Sequence, residues 1–170
     1  MTTERREPAL NADERTMLEG WLDYHRQTLA WKCEGLTDEQ VRTAAVEPSE
    51  LSLMGLVRHM AEVERGWFRK VLVGEDVGPI YCTGEDRDRD FHLAEEDTWQ
   101  EAYATWQAEI EVARRTCVPF ALDDLSKGRS RFTEEPFSLR WIYTHMIEEY
   151  ARHNGHADLI RERLDGATGD

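Results

Sequence analysis

The sequence predicts an all-α four-helix bundle in a single domain. Four stretches repeat apolar residues at helical spacing, each opens on a capping residue and closes at a glycine or proline, and no segment alternates as a strand would. A chain of 170 residues suits one domain over 1–170 with a real core, and is too short for two ordinary ones. The polar residues 1–9 and the glycine-rich end 166–170 are expected to fray.

The first helix is expected after Asn11, with Glu14 as the partner of a capping box and Met17, Leu18, Trp21, Leu22, His25, Leu29 and Trp31 on its periodic stripe up to Gly35. Thr37 to Val41 reads as a short helical turn, and Glu47-Pro48 forces a break. The second long helix starts near Ser52 and carries Leu53, Leu56, Val57, Met60, Val63, Trp67, Phe68 and Val71 to Gly74. Residues 75–96, with Gly78-Pro79, Gly84 and a run of charges, have neither period, and a loop of that length in a small domain is often functional. Thr98 and Glu101 form a capping box for the third helix, which carries Trp99, Tyr103, Trp106, Ile110 and Ala113 and stops before Pro119. Ser138 caps a long fourth helix with Leu139, Ile142, Met146, Tyr150, Ala157 and Ile160 on a buried stripe as far as Gly166. The tryptophans are read as core, and Glu62 and Glu64 as surface charges or partners of site residues.

Composition narrows the function. The formal net charge is −14, from 35 acidic and 21 basic side chains, and such a field repels phosphate backbones and anionic lipid. Nucleic acid and membrane are therefore not expected partners. The apolar runs fall short of the roughly 18 residues a membrane span needs, and the N-terminus lacks the apolar stretch of a signal peptide, so a cytoplasmic location is expected. Cys33, Cys82 and Cys117 are odd in number and widely spaced, which argues for reduced thiols over a disulfide framework or a thiolate zinc site. No phosphate loop, nucleophile elbow or His-Glu-x-x-His protease motif is present.

The chemistry concentrates in the fourth helix. At about 100° per residue, His145, Glu149, His153 and His156 stay within about 80° of one another and so share the face that also carries the apolar stripe. Ionisable groups on a core-facing stripe need hydrogen-bond partners or a metal. Residues at i and i+4 present two donors that one cation can bridge, and His59 from a facing helix would complete a three-ligand, open-sided site suited to zinc, nickel or iron. A mononuclear ion is preferred, because no histidine here has a glutamate three residues before it, as di-iron bundles require. The alternative is a hydrogen-bonded polar seam or a solvated helix face with no metal. His25 and His92 are read as surface or partly buried residues outside the site.

Two segments, Leu56–Phe68 (LVRHMAEVERGWF) and Leu139–Glu162 (LRWIYTHMIEEYARHNGHADLIRE), resemble the actinobacterial branch of the DinB-like superfamily, which is grouped with mycothiol-dependent transferases and isomerases. The resemblance covers nearly the whole chain in element order. It implies a four-helix bundle holding a divalent metal, zinc first with nickel or iron as alternatives, through a histidine of helix two and a His/Glu-x-x-x-His pair of helix four. The usual His-Arg-Gly-Gln ending matches His153-Asn-Gly-His156, which makes His153 the last ligand and Glu149 its partner, where the mycothiol-dependent maleylpyruvate isomerase carries Glu. The implied metal ligands are thus His59, Glu149 and His153. His156 stands where relatives have Gln, and it and His145 are assigned to the rim of the site, touching a ligand or facing substrate.

The resemblance further implies that the metal binds the sulfur of a low-molecular-weight thiol such as mycothiol, for transfer to a small electrophile or a related isomerisation. Arg65, Arg140 and Arg152 are the candidates for the polar groups of that thiol. Two other classes fit the same residues: a non-catalytic metal- or small-ligand-binding stress protein, and a structural bundle that forms a homodimer through an apolar face.

Overall fold

The computed structural model describes residues 5–130 and 133–169. Among them are α1 (Glu14–Cys33), the short α2 (Asp38–Arg42), α3 (Leu53–Glu64) running on as a π-helix (Arg65–Leu72), α4 (Trp99–Cys117) and α5 (Leu139–Asp165). The chain is all-α, with one isolated bridge, Leu125 to Ser138, and no strand among the described residues. No helix is long and apolar enough to cross a membrane.

The helix starts follow their side-chain caps. Ser52, Thr98 and Ser138 accept from the backbone N–H three residues on, at Gly55, Glu101 and Trp141, so each satisfies one of the first-turn donors that a helix leaves open. Thr37 and Gln40 close a full capping box on α2. The start of α1 differs from expectation. Asp13 and not Asn11 is the cap, its carboxylate taking both the N–H and the hydroxyl of Thr16. At the other end of α5, Gly166 adopts φ 77°, the left-handed cap that only glycine enters without strain.

The second long element is not α-helical to its end. From Arg65 the register widens to a π-helix, and the neighbouring Trp67 and Phe68 both turn inward, Trp67 against Phe137, Trp141 and His145 and Phe68 against Tyr143. Its last carbonyls are met by the 118–138 connection: Gly128 N–H donates to Val71 O and Lys127 N–H to Leu72 O, both at 2.9 Å.

α1 packs on α5 and α3 on α4, with α3 also touching α5. The apolar stripes meet in one core, in which Leu29, Leu53, Leu56, Met60, Trp106, Ile142 and Met146 are fully buried. Burying these side chains contributes roughly 1.5–3 kcal/mol each, which makes this core the main support of the fold. The tryptophans divide between core and surface. Trp67 and Trp106 are buried, whereas Trp21 and Trp141 lie on outer faces of their helices.

Glu64 also departs from expectation, being fully buried. It accepts two bonds of 2.8 Å from the Arg26 guanidinium and one of 2.7 Å from the Tyr150 hydroxyl, which in turn accepts from Trp106 Nε1 at 2.8 Å. One polar chain thus ties α1, α3, α4 and α5 together at the centre of the bundle.

Of the ends expected to fray, residues 1–4 and 170 lie outside the described residues. The rest of both ends lies against α1: Arg6 N–H donates to Gln27 Oε1 at 2.8 Å, and Gly169 O accepts from Lys32.

Candidate metal centre

His59 stands in the middle of α3, and Glu149 and His153 lie one turn apart on α5, so packing of the two helices brings the three together. His59, Glu149 and His153 each present one ligand atom within 4.8 Å of the others. The His59 and His153 rings are 4.7 Å apart at 61°, and Glu149 Oε2 lies 3.6 Å from His153 Nε2. His153 is buried and His59 and Glu149 are partly exposed, so the cluster opens at the surface of the bundle on their side.

Each member is held from behind. His59 Nδ1 bonds to Asp90 Oδ2 at 2.7 Å, and the Phe91 ring stacks on its face at 4.8 Å. His153 Nδ1 lies 3.3 Å from His156 Nδ1. With both Nδ1 atoms engaged, Nε2 is the nitrogen each ring can offer an ion, and on His153 that atom faces Glu149 Oε2. Glu149 turns its other oxygen, Oε1, to His145 Nε2 at 3.4 Å. The bond from His153 holds the Glu149 carboxyl below the usual carboxylate range against the opposing effect of its burial, and the charges of His145, His153 and His59 act in the same direction as the bond. Two imidazole nitrogens and an ionised carboxylate form the donor set of open zinc-type sites.

The rim residues are also placed. His145 stacks on Trp141 at 4.9 Å and meets Trp67 edge-on at 4.7 Å, so an aromatic shelf runs along α5 toward Glu149. With Glu148 and Glu149, His145 makes a second carboxylate and imidazole group, but Glu148 is exposed and pairs with Arg152. Burial, and then the nearby His153 and Arg152, lower the proton affinity of His156.

The three arginines do not converge with the ligands. Arg65 Nη2 bonds Glu109 on α4 at 2.6 Å, Arg140 pairs with Glu14 and Asp123 at the start of α5, and Arg152 lies on the exposed side of α5 against Glu148. Cys82 remains a thiol: burial first, with the charges of Asp90 and Glu62, pushes it up to about 12.

Asp90 is the site residue that the sequence reading missed. Residues 85–97 hold seven acidic side chains with no period to single one out. Glu62 was left as a surface charge or a partner of the site; its Oε1 accepts from the backbone N–H of Ile80, Tyr81 and Cys82 at 2.8, 2.6 and 2.9 Å, clamping the loop that carries Asp90.

The all-helical chain belongs to the DinB-like superfamily. Within it, the family model described as Mycothiol-S-transferase matches residues 17–166, and the chain belongs to that family. A search of curated proteins returned no match to the chain.

Proposed function

We propose that this protein is a metal-dependent S-transferase that joins mycothiol, or a closely similar low-molecular-weight thiol, to a small electrophile. The observation that carries the reading is the convergence of His59, Glu149 and His153 within 4.8 Å, in a chain of the Mycothiol-S-transferase family. Zinc is the first candidate for the ion, because two imidazoles and one carboxylate with an open side are a common zinc ligand set.

The residues fit such an ion from every side. His59 and His153 direct free Nε2 atoms inward because their Nδ1 atoms are engaged, and Glu149 supplies a carboxylate that His145 and His153 keep ionised. A divalent ion held there lowers the pKa of a bound thiol, so that thiolate is present at neutral pH. The shelf of Trp67, Trp141 and His145 gives an electrophile an apolar surface beside the site. His145 and His156 are the residues of the rim that can meet polar groups of the thiol, whereas Arg152 is paired with Glu148 on the exposed side of α5. Arg65 and Arg140 are committed to carboxylates elsewhere and are left out of this reading.

The test uses cobalt. Cobalt-loaded protein should develop a thiolate-to-metal charge-transfer band when mycothiol is added, and an oxygen analogue of the thiol should leave the spectrum unchanged. The band should be absent from His153→Ala protein. A cobalt spectrum indifferent to mycothiol, together with no turnover of generic thiol-reactive electrophiles, sinks S-transfer and leaves a metal-binding bundle.

A further inference from the structure

The loop between the π-helix and α4 does more than connect. It lies against α3 through three side chains within little more than one turn: Arg58, His59 and Glu62. Arg58, almost wholly buried, donates to Asp97 Oδ2 at 2.5 Å and to Arg89 O at 2.9 Å. Glu62 gathers three successive backbone N–H groups of residues 80–82. Between these two anchors sits His59, and the loop meets it with Asp90 and Phe91.

Asp90 is hard to explain as a structural residue. It is 3% exposed, and among the described residues its one ion-pair partner is His59. Its second oxygen, Oδ1, is buried and has no hydrogen-bond partner there. A buried carboxylate that leaves an oxygen unsatisfied is destabilising, so its place is not accounted for by stability of the fold. Its carboxylate meets the Nδ1 edge of the His59 ring and the Cys82 thiol, and of these His59 belongs to the candidate ligand cluster.

The geometry points to Asp90 as the positioning residue of the metal centre: its carboxylate accepts from His59 Nδ1, fixes the tautomer with a free Nε2, and couples the anchored state of the 75–98 loop to metal affinity. A carboxylate behind a ligating histidine fixes ring orientation and raises the basicity of the coordinating nitrogen, and its loss typically costs about ten- to a hundredfold in affinity. Because Asp90 arrives on a loop, whatever loosens that loop also loosens the ligand. Glu62 and Arg58 thereby act on the site through Asp90 without touching the ion. The inference rests on the metal-centre reading above for its affinity arm and stands apart from it for its tautomer arm.

The metal-free protein, with nitrogen-15 in its histidines, gives the first readout. His59, assigned by comparison with His59→Gln, should carry its proton on Nδ1, and Asp90→Ala should abolish that preference. The second readout is zinc affinity by chelator competition, with helicity and urea midpoint measured on the same samples. Asp90→Ala should weaken zinc about ten- to a hundredfold with the bundle intact, and Asp90→Asn, which keeps an acceptor but loses the charge, should fall between it and wild type.

Glu62→Gln supplies the remote arm and an alternative should Asp90→Ala fold poorly. It should weaken zinc in the wild-type background and have little further effect in Asp90→Ala, the two losses overlapping instead of adding. A wild-type tautomer and wild-type affinity in folded Asp90→Ala overturn the proposal, and additive losses overturn the coupling through the loop. If wild-type protein itself binds no zinc, the functional reading falls, and the nitrogen-15 shifts of His59 still decide whether Asp90 sets its tautomer.

Discussion

Glu64 shows how much a single side chain can commit. Its carboxylate is fully buried and holds Arg26 and Tyr150, so removing it takes away two of the buried guanidinium's bonds and leaves Asp23 as its carboxylate partner. Breaking a buried pair of this kind costs about 3–5 kcal/mol, whereas replacing both members by apolar residues of like volume is often near neutral. Glu64→Ala should therefore lower the urea midpoint strongly, and adding Arg26→Met to Glu64→Leu should recover much of the loss. Equal losses from Glu64→Leu and the double variant would show that the unpaired Arg26 charge is not the source of the loss. Gly128 is committed by space. A Cβ there would stand 2.0 Å from Lys70 O and 2.9 Å from Gly74 Cα, so Gly128→Ala must push the 118–138 connection off the end of the π-helix. The expected cost is about 1–3 kcal/mol by thermal or urea unfolding, and an unchanged midpoint would show that the connection shifts freely.

At the scale of elements, the pairing of α1 with α5 carries a pH dependence of its own. His25 on α1 is half-buried beside Asn154 on α5, and burial lowers its proton affinity below the ordinary value of about 6.5. Between the lowered value and 6.5 the unfolded chain binds more protons than the folded one, so the contribution of His25 is present above about pH 6.5 and is lost as the pH falls through that window. His92 has the opposite sign, since its bond to Asp86 raises its proton affinity, but it is exposed and screened. Urea midpoints of the metal-free protein should decline on acidification from about pH 7.5 to 5.5, and His25→Gln should flatten the decline. A steeper decline in His25→Gln would contradict the burial argument. The π-helix belongs to this scale as well. Its Leu53-to-Val71 apolar stripe reads as one continuous α-helix in sequence, because the widened register from Arg65 still places Trp67, Phe68, Val71 and Leu72 inward.

Over the whole molecule, the candidate metal centre sits at the edge of a core built from other residues. Leu53, Leu56, Met60, Trp106, Ile142, Met146 and Tyr150 are fully buried, and the ligands lie outside that set. Chelator-treated protein should therefore keep its far-ultraviolet dichroism, and the metal should raise the melting temperature only by mass action, about 2.7 kcal/mol at a hundredfold excess over its dissociation constant. His153→Ala should behave in the same way, with metal lost and helicity kept. Loss of helicity in step with loss of metal would make the ion structural and favour the non-catalytic alternative.

The sequence alone determined the elements and singled out three residues that the fold brings together, His59, Glu149 and His153. Helical spacing and caps placed every long helix to within a few residues, with Ser52, Thr98 and Ser138 as its starts, because both signals are local and repeat along the chain. One turn between Glu149 and His153 is likewise local, and the resemblance of their segment supplied His59 as the partner. Tertiary structure decided what stands behind those ligands. Glu64 lies on the same apolar side as Met60, Ala61 and Phe68, a signal that was legible, yet only the meeting of four helices tells a buried glutamate from a surface one. Asp90 had no signal at all. Its loop has no period, and which of seven acidic residues faces His59 is settled by the long-range anchors at Arg58 and Glu62, where pairing across tens of residues leaves no trace in the local pattern.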